Sequence, residues 1–191
     1  MPNTNSSTIK VQKRDGRLEA LDINKIHFVV EEACEGLPGV SASQIEMNAN
    51  IQFYDGMTTK DIQNVLVSSA NDLISLEAPN YQYAAARLLS YDVRKEAHGQ
   101  YEYIPLLKLV LRNIRMGVYD KGIVEKYSSS DIKRFNTWIR RDRDLNFTYA
   151  GLRQIVDKYL VQDRSTGQLY ETPQDMYMMI AATLFADYPN K

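Results

Sequence analysis

Lys13-Arg14-Asp15-Gly16-Arg17-Leu18-Glu19-Ala20-Leu21-Asp22-Ile23-Asn24-Lys25-Ile26 is the stretch whose reading decides the fold. Ahead of it, Ile9 and Val11 alternate with Lys10 and Gln12, the period of two that suits a half-buried strand. Asp15-Gly16 is a two-residue hairpin signal because glycine accepts positive φ, so the chain is expected to fold back through Leu18 to Leu21. Asp22 then caps a helix whose apolar positions Ile23, Ile26, Val30 and Ala33 recur at three and four residues. Free N–H groups and the positive end of that helix face the hairpin, and Lys13, Arg14 and Lys25 are close by in sequence. That is a geometry for holding a polyphosphate by charge-assisted hydrogen bonds. The spacing alone favours a surface hairpin with solvated charges.

Downstream, Gly36 and Pro38-Gly39 break the chain, and Ser41 with Gln44 forms a capping box for a second helix through Ile45 and Ile51 towards Tyr54. Asp55-Gly56 ends it. Thr58 and Asp61 open a third helix, along which Ile62, Val65, Leu66, Ser69 and Leu73 draw an apolar or small stripe. Pro79 sits at the start of a fourth, where Tyr81, Ala84, Ala85, Leu88 and Tyr91 share a face and Arg94-Lys95 bring positive charge to the last turns. The first module therefore reads as four helices under a small sheet.

From Ile104 the pattern stays helical. Leu106, Leu107, Val110 and Ile114 form one stripe, and Ser130 with Asp131 starts a helix through Phe135, Trp138 and Ile139. Arg140-Arg141-Asp142-Arg143-Asp144 reads as an exposed face of alternating sign. Tyr159-Leu160-Val161 and Gln168-Leu169-Tyr170 flank Asp163 to Gly167 as a second hairpin, and Thr172-Pro173 supplies an N-cap and N1 proline for a last helix to Asp187. Met176, Met178, Met179, Ile180, Leu184 and Phe185 leave that helix too few polar positions for a solvated face, so burial all round is expected, with the methionines as packing.

The chain has 191 residues, enough to bury roughly 70% of its unfolded surface, and 44% of them are apolar. A net charge of −1 excludes a general nucleic-acid or membrane-surface binder, which needs an excess of Lys and Arg. The single cysteine, Cys34, permits neither an intrachain disulfide nor a multi-thiolate zinc site, and it falls on the apolar side of the first helix as a core residue. No signal peptide or long apolar run is present, which points to the cytosol. Met1 to Ser7 is polar and rich in Asn and Ser, so a frayed tail is expected over residues 1–8. His27 and His98 have no triad-like or metal-ligand neighbours in sequence and read as structural.

Three stretches carry a resemblance: Lys13 to Ile26, Asp55-Gly56-Met57-Thr58-Thr59-Lys60-Asp61-Ile62, and Pro79-Asn80-Tyr81-Gln82-Tyr83-Ala84-Ala85-Ala86-Arg87-Leu88. Together they resemble the ATP-cone at the amino end of class I ribonucleotide reductase large (alpha) subunits of the bacterial and phage type. The similarity continues through His98-Gly99-Gln100-Tyr101-Glu102, Asp142 to Tyr149 and Tyr159 to Glu171, covering nearly the whole chain. It implies a mainly α (α+β) fold: a small β-hairpin sheet capping a four-helix ATP-cone over 9–100, then over 101–191 a second helical region with one β-hairpin that stops before the catalytic barrel.

The resemblance also implies a function, allosteric binding of ATP or dATP, with Mg, in the cytoplasm of a bacterial cell or phage-infected host. Lys13 and Arg14 would meet phosphates. Glu19, Ala20, Leu21, Asp22, Ile23, Asn24 and Lys25 would wrap the nucleoside and the helix start, Thr59 would add a hydroxyl, and Lys95 would close the site. Gln63 and Asp92 stand where relatives often carry histidine, a departure that bears on telling dATP from ATP. The family's catalytic cysteines lie on its barrel, so no residue here is catalytic and the chain alone is expected to be inactive. The implied partners are the remaining barrel, if the subunit is split, and the radical-generating small subunit. A stand-alone ATP-cone regulatory module and a non-binding remnant are the alternative readings. One cysteine excludes the zinc ribbon of the ATP-cone repressors.

Overall fold

The computed structural model of the chain describes residues 9–189; the tail expected over residues 1–8 lies outside them. Internal contacts divide the chain into two units, one up to Leu89 and one from Ser90.

In the first unit, β1 (Lys10–Gln12) pairs antiparallel with β2 (Leu18–Ala20) and parallel with β3 (Met57–Thr58), giving the order β2-β1-β3. The turn between β1 and β2 differs from the two-residue Asp-Gly turn. Lys13 N–H donates to Arg17 O at 2.8 Å and Gly16 N–H to Lys13 O at 2.9 Å, so the loop is Arg14-Asp15-Gly16 with Gly16 at φ 84°. A three-residue loop whose last residue is left-handed fits the twist of the flanking strands, and glycine is the residue that adopts it without strain. The third strand was not foreseen. Asp55 Oδ1 accepts from Lys10 N–H at 2.7 Å and Gly56 N–H donates to Lys10 O at 2.9 Å, which delivers Met57 to the free edge of β1.

Helix α1 (Ile23–Cys34) starts at Asp22, whose carboxylate accepts from Asn24 and Lys25 N–H. It ends under Arg87, whose Nη1 donates to Ala33 O at 3.2 Å and Glu35 O at 2.7 Å and so satisfies terminal carbonyls. Helix α2 (Ala42–Asn50) stops short of the expected Tyr54 and packs on α1 and α3. Ser41 Oγ accepts from Gln44 N–H, but the Gln44 side chain does not close the capping box. The buried Tyr81 hydroxyl stands between them, accepting Ser41 N–H at 3.0 Å and donating to Gln44 Oε1 at 2.6 Å. Helix α3 (Thr59–Asp72) carries a complete Thr58–Asp61 box. Helix α4 (Tyr81–His98) begins in this unit, where Tyr81, Ala84, Ala85 and Leu88 are buried, and ends in the next. Val30, Ile45, Leu66 and Val11 complete the core.

The second unit is helical: α5 (Leu106–Arg115), α6 (Gly122–Lys126), α7 (Ser129–Trp138), α8 (Tyr149–Lys158) and α9 (Pro173–Leu184), with a 3-10 turn over Arg141–Asn146. Its core gathers Leu106, Leu109, Val110, Tyr127, Ile132, Phe135 and Ala182. The cap of α7 is Ser128 rather than Ser130, because Asp131 closes a capping box three residues back. The second hairpin reduces to a single antiparallel bridge, Gln162 with Leu169. Next to it, Val161 N–H donates to the Glu171 carboxylate instead of a facing carbonyl. Helix α9 is not buried all round. Met176 and Ala182 are buried, while Tyr177, Ile180 and Leu184 are 46%, 48% and 67% exposed. Among the described residues, no helix is long and apolar enough to cross a membrane.

Candidate functional site

The sheet register sorts the predicted binding residues. Residues directly opposite in adjacent strands point to the same face, and side chains alternate along each strand. Val11 faces Glu19 in β2 and Met57 in β3, and Val11 and Met57 are buried, so this row is on the helix-facing side. Lys13 lies two residues beyond Val11, and Thr59 follows β3 as the first residue of α3. Lys13 therefore reaches the hairpin-tip end of the sheet, the end at which the parallel β3 also finishes. Lys13 Nζ is 3.4 Å from Glu19 Oε2, and the two side chains are 31% and 40% exposed. A cation and a carboxylate thus meet there, each part-buried, while Thr59 stands directly after β3.

The remaining predicted residues lie at other positions. Arg14 is exposed at the tip. Ala20 pairs with Lys10, and Leu21 N–H donates to Ile9 O at 2.8 Å, so these two stand at the opposite end of β1 from Lys13. There α1 begins, with Ile23, Asn24 and Lys25 exposed. The helix N-terminus is not a row of free donors: Asp22 Oδ1 takes Asn24 N–H at 3.1 Å and Lys25 N–H at 3.4 Å, and Lys25 Nζ is 3.6 Å from Asp22 Oδ2. An anion here meets a carboxylate already seated on two of the amides. Lys95 is exposed in the last turn of α4 and belongs to the second unit. Of the two departures from the family pattern, Gln63 is committed, its Nε2 donating to Leu88 O at 2.8 Å. Asp92 is buried.

Three other polar groups have settled roles. His27 Nδ1 is 2.8 Å from Glu46 Oε1 and Nε2 is 3.1 Å from Glu31 Oε1, and the bond to Glu46 raises the imidazole above its ordinary value. Burial pushes the Cys34 thiol up to about 11, an inert state for a cysteine. His98 is wholly buried, with Nε2 3.1 Å from Asp175 Oδ2 and Nδ1 accepting Ile104 N–H at 3.2 Å. Among the described residues, no group of three or more His, Cys, Asp or Glu converges as a metal site.

Sequence reasoning missed the densely bonded carboxylate of Asp175. Its Oδ2 accepts Thr172 N–H at 3.1 Å and the Thr172 hydroxyl at 2.6 Å beside His98, and its Oδ1 accepts Arg141 Nη2 at 2.6 Å. Burial works against ionisation there, but His98 and Arg141 outweigh it and hold the carboxyl well below the usual carboxylate range. The spacing Thr172-x-x-Asp175 was the available signal. Asp144 is the contrast: burial raises it to about 6, and only Oδ1 is bonded, to Gln174 Nε2 at 2.9 Å.

Residues 9–96 match the family described as "ATP cone domain", and residues 145–190 match "Ribonucleotide reductase, all-alpha domain". The chain is 45% identical over 186 residues to the ribonucleoside-diphosphate reductase 1 subunit alpha of Escherichia coli, covering 97% of this chain and 24% of that protein. It is 40% identical over 186 residues to the corresponding subunit alpha of Haemophilus influenzae, covering 97% and 25%. With that of Enterobacteria phage T4 it shares 41% over 183 residues, covering 95% and 24%. The chain thus spans about a quarter of the length of the curated relatives it matches. By its two domain matches and by identity along almost all of its length, the chain is similar to about a quarter of the length of ribonucleoside-diphosphate reductase alpha subunits.

Proposed function

We propose that the first unit is the allosteric nucleotide-binding part of a ribonucleoside-diphosphate reductase large subunit and takes ATP or dATP as effector. The observation that carries this is the Lys13–Glu19 pair at the end of the sheet where β3 gives way to Thr59, within the stretch matched to the ATP cone. These residues fit a nucleoside triphosphate: an ammonium for phosphate oxygens, a threonine hydroxyl as a further donor, and a carboxylate able to accept from a ribose hydroxyl. Arg14 at the tip adds charge, and Mg2+ arrives with the phosphates. Glu19 to Lys25 line the nucleoside side of the site. Lys95 is assigned to it by resemblance. In this reading the chain reduces nothing by itself. It acts with the catalytic barrel of a large subunit, in one polypeptide or as a separate one, and with the radical-generating small subunit.

Calorimetry on the chain tests the reading. Saturable heat with ATP or dATP is expected, and Lys13→Ala should weaken binding by about 1.5 to 3 kcal/mol, the range for a hydrogen bond to a charged group. Lys133→Ala, an exposed change on α7, should leave it unaltered. No saturable heat with either nucleotide at millimolar concentration rejects the site. Equal losses from both substitutions reduce it to diffuse attraction.

A further inference from the structure

The second unit contains a cleft that the effector reading does not use. Its volume is about 580 Å³, and it lies between the segment 118–126 and α9. Ile123, Met176, Met179 and Tyr159 furnish apolar and polarizable walls. Its polar lining is unusual for such walls. Glu171, 1% exposed, lines the cleft beside Tyr119; its Oε1 accepts Val161 N–H at 2.9 Å and its Oε2 accepts the Tyr119 hydroxyl. A carboxylate offers about four acceptor positions, and two are used among the described residues.

Charge in the cleft is also one-sided. Asp120 and Glu171 are its acidic lining residues. Lys126 is its basic one, and its ammonium is held 2.9 and 2.7 Å from the two Asp187 oxygens. A cation entering the cleft therefore meets net negative charge, tyrosine rings and thioethers, with a buried carboxylate among the lining groups. Burial raises the Glu171 carboxyl above its ordinary value, the cost that a bound cation would offset.

We propose that this cleft binds a small amphiphilic amine, an aromatic or branched aliphatic body bearing a primary ammonium that donates to Glu171. The size suits it, since sites for small molecules commonly enclose roughly 300 to 1,000 Å³ and are apolar with a few convergent polar groups. The site is independent of the nucleotide site, and either can fail without the other.

The probe is 2-phenylethylamine, titrated into the full chain with methyl-labelled methionine and followed by the resonances of Met176 and Met179. The neutral control is 2-phenylethanol, nearly the same shape without the charge. Saturating shifts are expected for the amine, with the alcohol at least about tenfold weaker. Ile180→Lys puts a competing charge at an exposed rim position and should cost at least about tenfold; Glu171→Gln should do the same. Should Glu171→Gln fail to fold, Ile180→Lys carries the test. Absence of saturation at millimolar amine, equal affinity for amine and alcohol, or an Ile180→Lys variant that binds as the parent does overturns the proposal.

Discussion

Replacing Asp175 by Asn keeps the shape of a buried side chain and removes its charge, so the loss is not that of a cavity. Four donors converge on this carboxylate: the Thr172 N–H and hydroxyl, His98 Nε2 and Arg141 Nη2. An amide offers one oxygen, and its NH2 group must face a donor on one side or the other. The Arg141 side chain is 21% exposed and His98 wholly buried, so neither recovers its lost partner fully from water. Breaking a buried charge pair from one side costs about 3 to 5 kcal/mol. With a urea slope of about 2 kcal/mol per M, the midpoint should fall by roughly 1.5 to 2.5 M. Trp138, the single tryptophan, lies in the second unit and reports the transition by fluorescence. Asp142→Asn is the control: its carboxylate is 58% exposed and pairs with Arg140 at the surface, so its loss should be no larger than that of an ordinary surface substitution. The pH dependence gives a second check. Because the folded carboxyl lies below its unfolded value, its stabilisation is complete above the ordinary value of about 4 and is lost as pH falls through the folded one. The gap between parent and variant should therefore begin to close only below about pH 4. A loss under about 1 kcal/mol, or equal to that of Asp142→Asn, would refute the claim that this carboxylate holds α4, the 3-10 turn and α9 together.

Three further substitutions follow the same reasoning. Asp144→Asn should stabilise the protein at pH 7 by about 1 to 3 kcal/mol, because a folded value raised to about 6 makes ionisation costly, a cost that grows from pH 4 to 6 and is full above it; at pH 3.5 the gain should vanish in urea titrations. His27 should titrate by NMR above the ordinary value of about 6.5, its bridge between α1 and α2 full below that value and lost as pH rises through the folded one; Glu46→Gln should bring the midpoint down, and an unmoved midpoint contradicts the bridge. Tyr81→Phe strands the Ser41 N–H and should cost about 1 to 3 kcal/mol in thermal unfolding, and a neutral result would show that water replaces the hydroxyl.

What the sequence made legible is what local chemistry decides. Asp22, Thr58 with Asp61, and Thr172 fall where the helices begin, because capping depends on a side chain and an amide two or three residues away. The turn at Gly16 was legible in kind but not in length, since Asp-Gly serves a two-residue and a three-residue loop alike. Met57–Thr58 reads as a helix entry and nothing else. Its strand character exists only through β1, about 45 residues earlier in the chain. The candidate site inherits that limit: Lys13 and Thr59 are each visible as donors to an anion by type, but that β3 finishes at the Lys13 end of β1 depends on the unforeseen third strand. Asp175 was hidden for the opposite reason. Its capping role is local, but His98 and Arg141 reach it from 77 and 34 residues away.

In the proposed reading, the smallness of the sheet is what would let a bound effector have consequences. Of the residues in its three strands only Val11 and Met57 are buried, each worth about 1.5 to 3 kcal/mol and opposed by the entropy of ordering the strands. The Lys13–Glu19 pair, about a third exposed, adds no more than about 1 kcal/mol. In the proposed reading, each charge-assisted bond from Lys13 to a phosphate contributes about 1.5 to 3 kcal/mol, as much as a buried side chain of the sheet. Binding then changes the order of the hairpin by a large fraction of its own stability, while the body of α3 beyond Thr59 is held by its own buried residues Ile62, Leu66, Val67 and Ala70. Couplings of about 1 to 3 kcal/mol are what allosteric control requires. A sheet with a larger core of its own would hold the hairpin in place whether or not a nucleotide was bound, and it would have nothing to transmit.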